Sequence, residues 1–93
     1  MRFKKYSLKQ KIKIGKTIKN ICKKYNVKFI INDNPALALI LGADGCHLGQ
    51  NDMNIEDAKK IIGKKIIGIT CHNSINLAKK AIKAKASYIA IGA

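Results

Sequence analysis

Val27-Lys28-Phe29-Ile30-Ile31-Asn32-Asp33-Asn34-Pro35-Ala36-Leu37-Ala38-Leu39-Ile40-Leu41-Gly42-Ala43-Asp44-Gly45-Cys46-His47-Leu48-Gly49 decides the fold of this chain. Val27 to Ile31 is a short run rich in branched residues, too short for a helix, and reads as a strand. It ends at Asn32-Asp33-Asn34-Pro35, where Asn34 can cap a helix and Pro35 suits its first position. Gly42 suits the position just beyond the helix end. A second strand follows near Cys46 to Gly49. The intervening Gly42-Ala43-Asp44-Gly45 has no phosphate-loop spacing and precedes a strand, so its glycines read as turn residues and Asp44 as a turn acid.

The same unit recurs on both sides. Upstream, Leu8, Ile12, Gly15, Ile18, Cys22 and Tyr25 repeat at helical spacing, while Lys9, Lys13, Lys16, Lys19 and Lys23 fall mostly elsewhere and read as a solvated face. Downstream, Asn54 stands as a cap three residues before Asp57, with a helix to Ile62 and Gly63 as its terminator. Ile66 to Thr70 reads as a strand, Asn73 or Ser74 as a cap, Leu77 to Lys85 as a helix, and Tyr88 to Ile91 as a last strand. Strands alternating with short helices predict an α/β fold, a parallel sheet covered by helices, and the regular spacing favours a barrel. A closed (βα)8 TIM barrel needs about 200 residues or more. The 93 residues are therefore expected to form one partial barrel domain over 1–93, with about four strands, in a fragment or a truncated gene product.

Composition narrows the class. The chain is 47% hydrophobic, has no apolar run of the roughly 18 to 20 residues that a membrane span requires, and shows no signal-peptide pattern at its basic start. A soluble, cytoplasmic protein is expected. Cys22, Cys46 and Cys71 are odd in number and far apart, so reduced thiols are expected rather than a disulfide framework; Cys71 reads as a small buried residue or as a thiol beside the site. The net charge of +14 would suit a polyanion. The cations are almost all lysine, with Arg2 the only arginine, and are spread along helices with little aromatic interleaving, which argues against nucleic acid.

In a barrel of this kind the loops leaving the strand C-termini build the site. Asn32 and Asp33, Gln50 and Asp52, Thr70 and His72, and Gly92 with Ala93 stand at those ends. Asp33 and Asp52 lie on loops from adjacent strands and could converge on one hard cation, for which magnesium fits best because it takes one or two carboxylates and completes its shell with water and phosphate oxygens. Both could equally be caps or solvated loop acids. Alternation places His47 within a barrel layer, whereas His72 lies just past a strand end and is the better site candidate. Arg2 and Lys4 would point to one side of a strand, where they either meet a phosphate or form a basic tail.

F-I-I-N-D-N (29–34), G-A-D-G-C-H-L-G-Q-N-D (42–52), I-I-G-I-T-C-H (66–72) and Y-I-A-I-G-A (88–93) follow in order without large gaps. Together they resemble thiamine-phosphate synthase, over nearly the whole chain, with the segments matching that family's third to sixth barrel strands. The resemblance implies that Asp33 and Asp52 bind magnesium and that Asn32 contacts the pyrimidine substrate. It implies that Thr70, where the family usually has serine, helps bind the diphosphate or the departing pyrophosphate. The opening R-F-K looks like the tail of the family's Q-L-R-E-K strand, which makes Arg2 and Lys4 diphosphate contacts. The implied reaction joins 4-amino-5-hydroxymethyl-2-methylpyrimidine diphosphate to 4-methyl-5-(2-phosphoethyl)thiazole, giving thiamine phosphate and pyrophosphate.

The family's loop after its sixth strand and its last two strands, which hold the thiazole phosphate, have no counterpart in the 93 residues. Two rival readings remain. One is a thiazole tautomerase-like relative using His72, against which the Asn32-Asp33 pair argues. The other is a non-catalytic remnant whose basic surface binds polyanions. Exposed sheet edges would also invite self-association.

Overall fold

Residues 5–92 are described by a computed structural model. Eight elements alternate: α1 (Leu8–Lys24), β1 (Ile30–Asn32), α2 (Pro35–Leu41), β2 (Gly45–Leu48), α3 (Ile55–Ile62), β3 (Ile66–His72), α4 (Ile75–Lys83) and β4 (Tyr88–Ile91). The four strands form one parallel sheet in the order β1-β2-β3-β4, so strand order in space equals order in the chain. This is the α/β alternation expected of part of a (βα) barrel.

Helix boundaries follow local chemistry. The Asn34 side chain accepts from the Leu37 N–H at 3.0 Å, Pro35 opens α2, and Gly42 closes it at φ 62°, in the left-handed region that glycine adopts without steric cost. Asn54 caps α3 through the Asp57 N–H, and Ser74 caps α4 through the Leu77 N–H. At α1 the Ser7 hydroxyl accepts from the Gln10 N–H while the Gln10 side chain accepts from the Ser7 N–H, a reciprocal capping box.

Four expectations need correction. Val27 lies in a loop and is exposed, and β1 begins only at Ile30. Before that point Asp44 takes the place of a paired strand: its carboxylate accepts from the Phe29 N–H at 2.7 Å, and its own N–H donates to the Phe29 carbonyl at 2.9 Å. The second strand runs from Gly45 to Leu48, so Gly49 belongs to the following loop. Helix α4 starts two residues earlier than the apolar spacing suggests, because Ser74 is its cap. On α1, Leu8 and Tyr25 at the ends of the apolar stripe are exposed, and only its middle, Ile12, Gly15, Ile18 and Cys22, packs inward.

Alternation divides the sheet into two faces. Ile31, Cys46, Leu48, Ile67 and Cys71 are fully buried under Leu37, Ala38 and Leu41 of α2, Ile55, Ala58 and Ile62 of α3, and Ala81 of α4. That layer is the core. The intervening residues, Asn32, His47, Gly68, Thr70 and Tyr88, point to the other face, which in a closed barrel is the interior.

Candidate active site at the strand C-termini

Backbone register builds the site. Asn32 of β1 is level with His47 of β2, His47 with Gly68 of β3, and Gly68 with Tyr88 of β4. A Cβ on Gly68 would coincide with the Tyr88 ring, so the glycine leaves the gap across which Tyr88 reaches His47. The two rings stack with centroids 5.5 Å apart and planes 27° apart. The Tyr88 hydroxyl lies 2.8 Å from His47 Nδ1, and Thr70 Oγ1, two residues further along β3, lies 2.8 Å from Nε2. Burial pushes the Tyr88 phenol upward, so its proton is held at neutral pH.

The rim above this layer carries the carboxylates. Asp33 follows β1 directly, its N–H donating to the His47 carbonyl at 2.8 Å, with φ at 68°. His72 has φ at 53°. Left-handed backbone at non-glycine residues costs free energy and gathers at functional sites. Asp52 folds back so that one carboxylate oxygen accepts from the Gly49 N–H at 2.7 Å, and Gln50 donates from its side chain to the Thr70 carbonyl at 2.6 Å. Cys46, beneath this rim, has its thiol pushed up to about 11, chiefly by burial. The Asn34 backbone opposes the shift, and the negative charges of Asp33 and Asp52 both add to it.

Asn32, Asp33, Gln50, Asp52 and Thr70 thus share the C-terminal rim, as expected. His72 is exposed, but it is the last residue of β3, paired with Ile91 across an irregularity, and not the first residue of the loop. Gly92 follows β4, its N–H donating to the His72 carbonyl at 3.0 Å. Arg2, Lys4 and Ala93 lie outside the described residues. Tyr88 was not singled out from sequence; the available signal was an aromatic residue opening one strand beside a glycine in the neighbouring strand.

Asp33 and Asp52 follow neighbouring strands β1 and β2, and carboxylate oxygens of this kind suit a hard cation such as magnesium better than a softer metal. A cleft of about 650 Å³ also opens beside Gly49 and Asp52, bounded by Ile55, Leu77 and Ala81. Gln50, Glu56, Lys80 and Lys83 also line it, whereas Asn32, His47 and Thr70 do not.

All 93 residues match the family model described as thiamine monophosphate synthase. The chain is 61% identical over 93 residues to the thiamine-phosphate synthase of Pelagibacter ubique (strain HTCC1062), covering 100% of this chain and 45% of that protein. It is 42% identical to that of Thioalkalivibrio sulfidiphilus (strain HL-EbGR7), covering 99% of this chain and 44% of that protein. The thiamine phosphate pyrophosphorylase from Pyrococcus furiosus superposes with a TM-score of 0.94 at 36% identity, covering 100% of this chain and 46% of that one. The chain therefore spans a little under half the length of these relatives. The family-model match over the whole chain, the identity to these relatives and the overall agreement of the fold lead to one conclusion: the chain belongs to the thiamine monophosphate synthase family.

Proposed function

We propose that residues 1–93 form one partial barrel domain that supplies the pyrimidine diphosphate half of a magnesium-dependent thiamine-phosphate synthase site. The observation that carries this reading is the placement of Asn32, Asp33, Asp52 and Thr70 on one rim of a parallel sheet. In the full reaction the bond between the pyrimidine methylene carbon and the diphosphate oxygen breaks, pyrophosphate leaves, and the thiazole nitrogen forms the new bond to that carbon. Magnesium, when bound, would neutralise charge on the leaving diphosphate. Asp33 and Asp52 would hold it, and Arg2 and Lys4 would add positive charge to the same group.

Asn32 would orient the pyrimidine, and Thr70 would donate to a diphosphate or pyrophosphate oxygen. Gln50 fixes the Thr70 carbonyl, while His72 and Gly92 flank the exit of the rim. Donors fixed before the reaction are worth far more than donors that must reorganise during it.

Partners in this reading are small phosphate and diphosphate substrates. No helix among the described residues is long and apolar enough to cross a membrane. The cysteines Cys22, Cys46 and Cys71 are free, the form that a reducing cytoplasm maintains. Strands β1 and β4 are the edges of the described sheet, which supports self-association as a further property of the isolated chain.

Isothermal titration of the 93-residue chain with the pyrimidine diphosphate, with and without magnesium, tests the reading. Binding that needs magnesium and is lost in both Asp33→Ala and Asp52→Ala supports it. Binding that ignores either carboxylate, or none by a chain that circular dichroism shows to be folded, would sink it.

A further inference from the structure

We propose that Tyr88 and His47 form a hydrogen-bond relay that makes the Thr70 hydroxyl a donor toward an anionic oxygen of a bound diphosphate; the identity of that acceptor rests on the function proposed above, while the relay itself does not.

With a neutral imidazole, these two contacts leave two directions for the hydrogens. Either Tyr88 donates to Nδ1 and the Nε2–H donates to Thr70, or the Nδ1–H donates to the Tyr88 oxygen and Thr70 donates to Nε2. Relative acidity decides between them. A phenol is the stronger hydrogen donor and the weaker acceptor when set against an aliphatic hydroxyl, because its oxygen lone pair is delocalised into the ring. The neutral imidazole therefore accepts from Tyr88 at Nδ1 and donates from Nε2 to Thr70. The phenol's raised pKa keeps that donor in place at neutral pH.

With its oxygen accepting from His47, the Thr70 hydroxyl has its own hydrogen left to give. Its bond to His47 is the one hydrogen bond that the hydroxyl makes among the described residues. Thr70 stands on the same face as Asn32 and on the rim that carries Asp33 and Asp52, where an anion held by a cation would meet that hydrogen. In the opposite tautomer the hydrogen would be used up on Nε2, leaving only lone pairs to face an anion.

The stack fixes the relay in space. Gly68 gives Tyr88 the room to cross β3, and the ring contact sets Tyr88 against His47. Both residues are positioning residues, since they reach the substrate only through Thr70.

Nitrogen-15 NMR of the imidazoles in the full 93-residue chain reads the tautomer directly. Neutral His47 protonated at Nε2, becoming a tautomer mixture in Tyr88→Phe, is the expected result. Protonation at Nδ1, or a tautomer unmoved by Tyr88→Phe, would overturn the relay. Tyr88→Phe keeps the ring over Gly68, so it tests the hydroxyl and not the fold.

Titration with inorganic pyrophosphate and magnesium tests the consequence. Tyr88→Phe and Thr70→Val should each weaken binding about tenfold, the worth of one hydrogen bond to a charged group. The double variant should bind no more weakly than Thr70→Val alone, because the relay acts only through that hydroxyl. Additive losses would overturn positioning. Failure of the wild-type chain to bind pyrophosphate would remove the diphosphate acceptor and the function proposed above, while the NMR result would still decide the relay.

Discussion

The ring of Tyr88 fills the space that a side chain at Gly68 would occupy, although the two residues belong to different strands. A methyl group there must push the ring off its stack with His47, or spread the strands. Gly68→Ala is expected to destabilise the chain by about 1–3 kcal/mol, the usual cost of overpacking. Urea unfolding measures the loss, and a change in the near-ultraviolet dichroism of tyrosine reports the displaced ring. Unchanged stability and dichroism would show that the ring does not need the gap.

Asp44 joins the start of β1 to the turn before β2 through the buried Phe29. Asp44→Ala leaves the Phe29 N–H without its carboxylate partner and should cost about 1–2 kcal/mol. Asp44→Asn, which keeps an acceptor oxygen at the same reach, should recover at least half of that loss. Chemical denaturation of the three proteins checks the order.

Asp33 holds a left-handed backbone that asparagine tolerates as well as aspartate. The Asp52 turn likewise needs only an acceptor oxygen for the Gly49 N–H. Asp33→Asn and Asp52→Asn should therefore keep their melting temperatures within a few degrees, yet each should lose magnesium-dependent diphosphate binding by tenfold or more. A variant that melts early and binds weakly would assign its carboxylate to the fold instead.

Cys46 has an alkaline signature. Its thiol is pushed up to about 11 in the folded chain from 9.0, so between those values the folded state holds a proton that the unfolded state gives up. Stability from this group is full below pH 9.0 and falls as pH rises toward 11, by about 3 kcal/mol in total. Cys46→Ala should flatten that part of the stability curve relative to the parent, whatever the lysines contribute to both. Equal slopes in the two proteins would show that the thiol does not titrate late.

Local chemistry made much of the fold legible. Asn34, Pro35 and Gly42 bound α2, and Asn54 and Gly63 bound α3, at the residues expected, since caps act through hydrogen bonds three residues away. The start of β1 was misplaced because Val27 looks like strand by composition, whereas pairing begins only opposite Gly45. Asn32, Asp33, Gln50 and Asp52 could be placed on one rim because each follows or ends a strand, whereas Thr70, read as a strand end, lies within β3, which runs on to His72. The relation of Tyr88 to His47 was not legible, because it crosses an intervening strand and depends on a register that no local pattern encodes. His72 looked like the better site candidate because it was read as lying just past a strand end, whereas it is the exposed last residue of β3, and the inward layer gives His47 two polar partners.

Because β1, β2, β3 and β4 lie side by side in the order in which they are written, each strand docks against one that has already been synthesised. As the chain emerges, β2 can pair with β1 while β3 is still inside the ribosome, and no closure over a long loop is needed at any step. The sheet can therefore grow in the order of synthesis, each new strand taking the open edge left by the last.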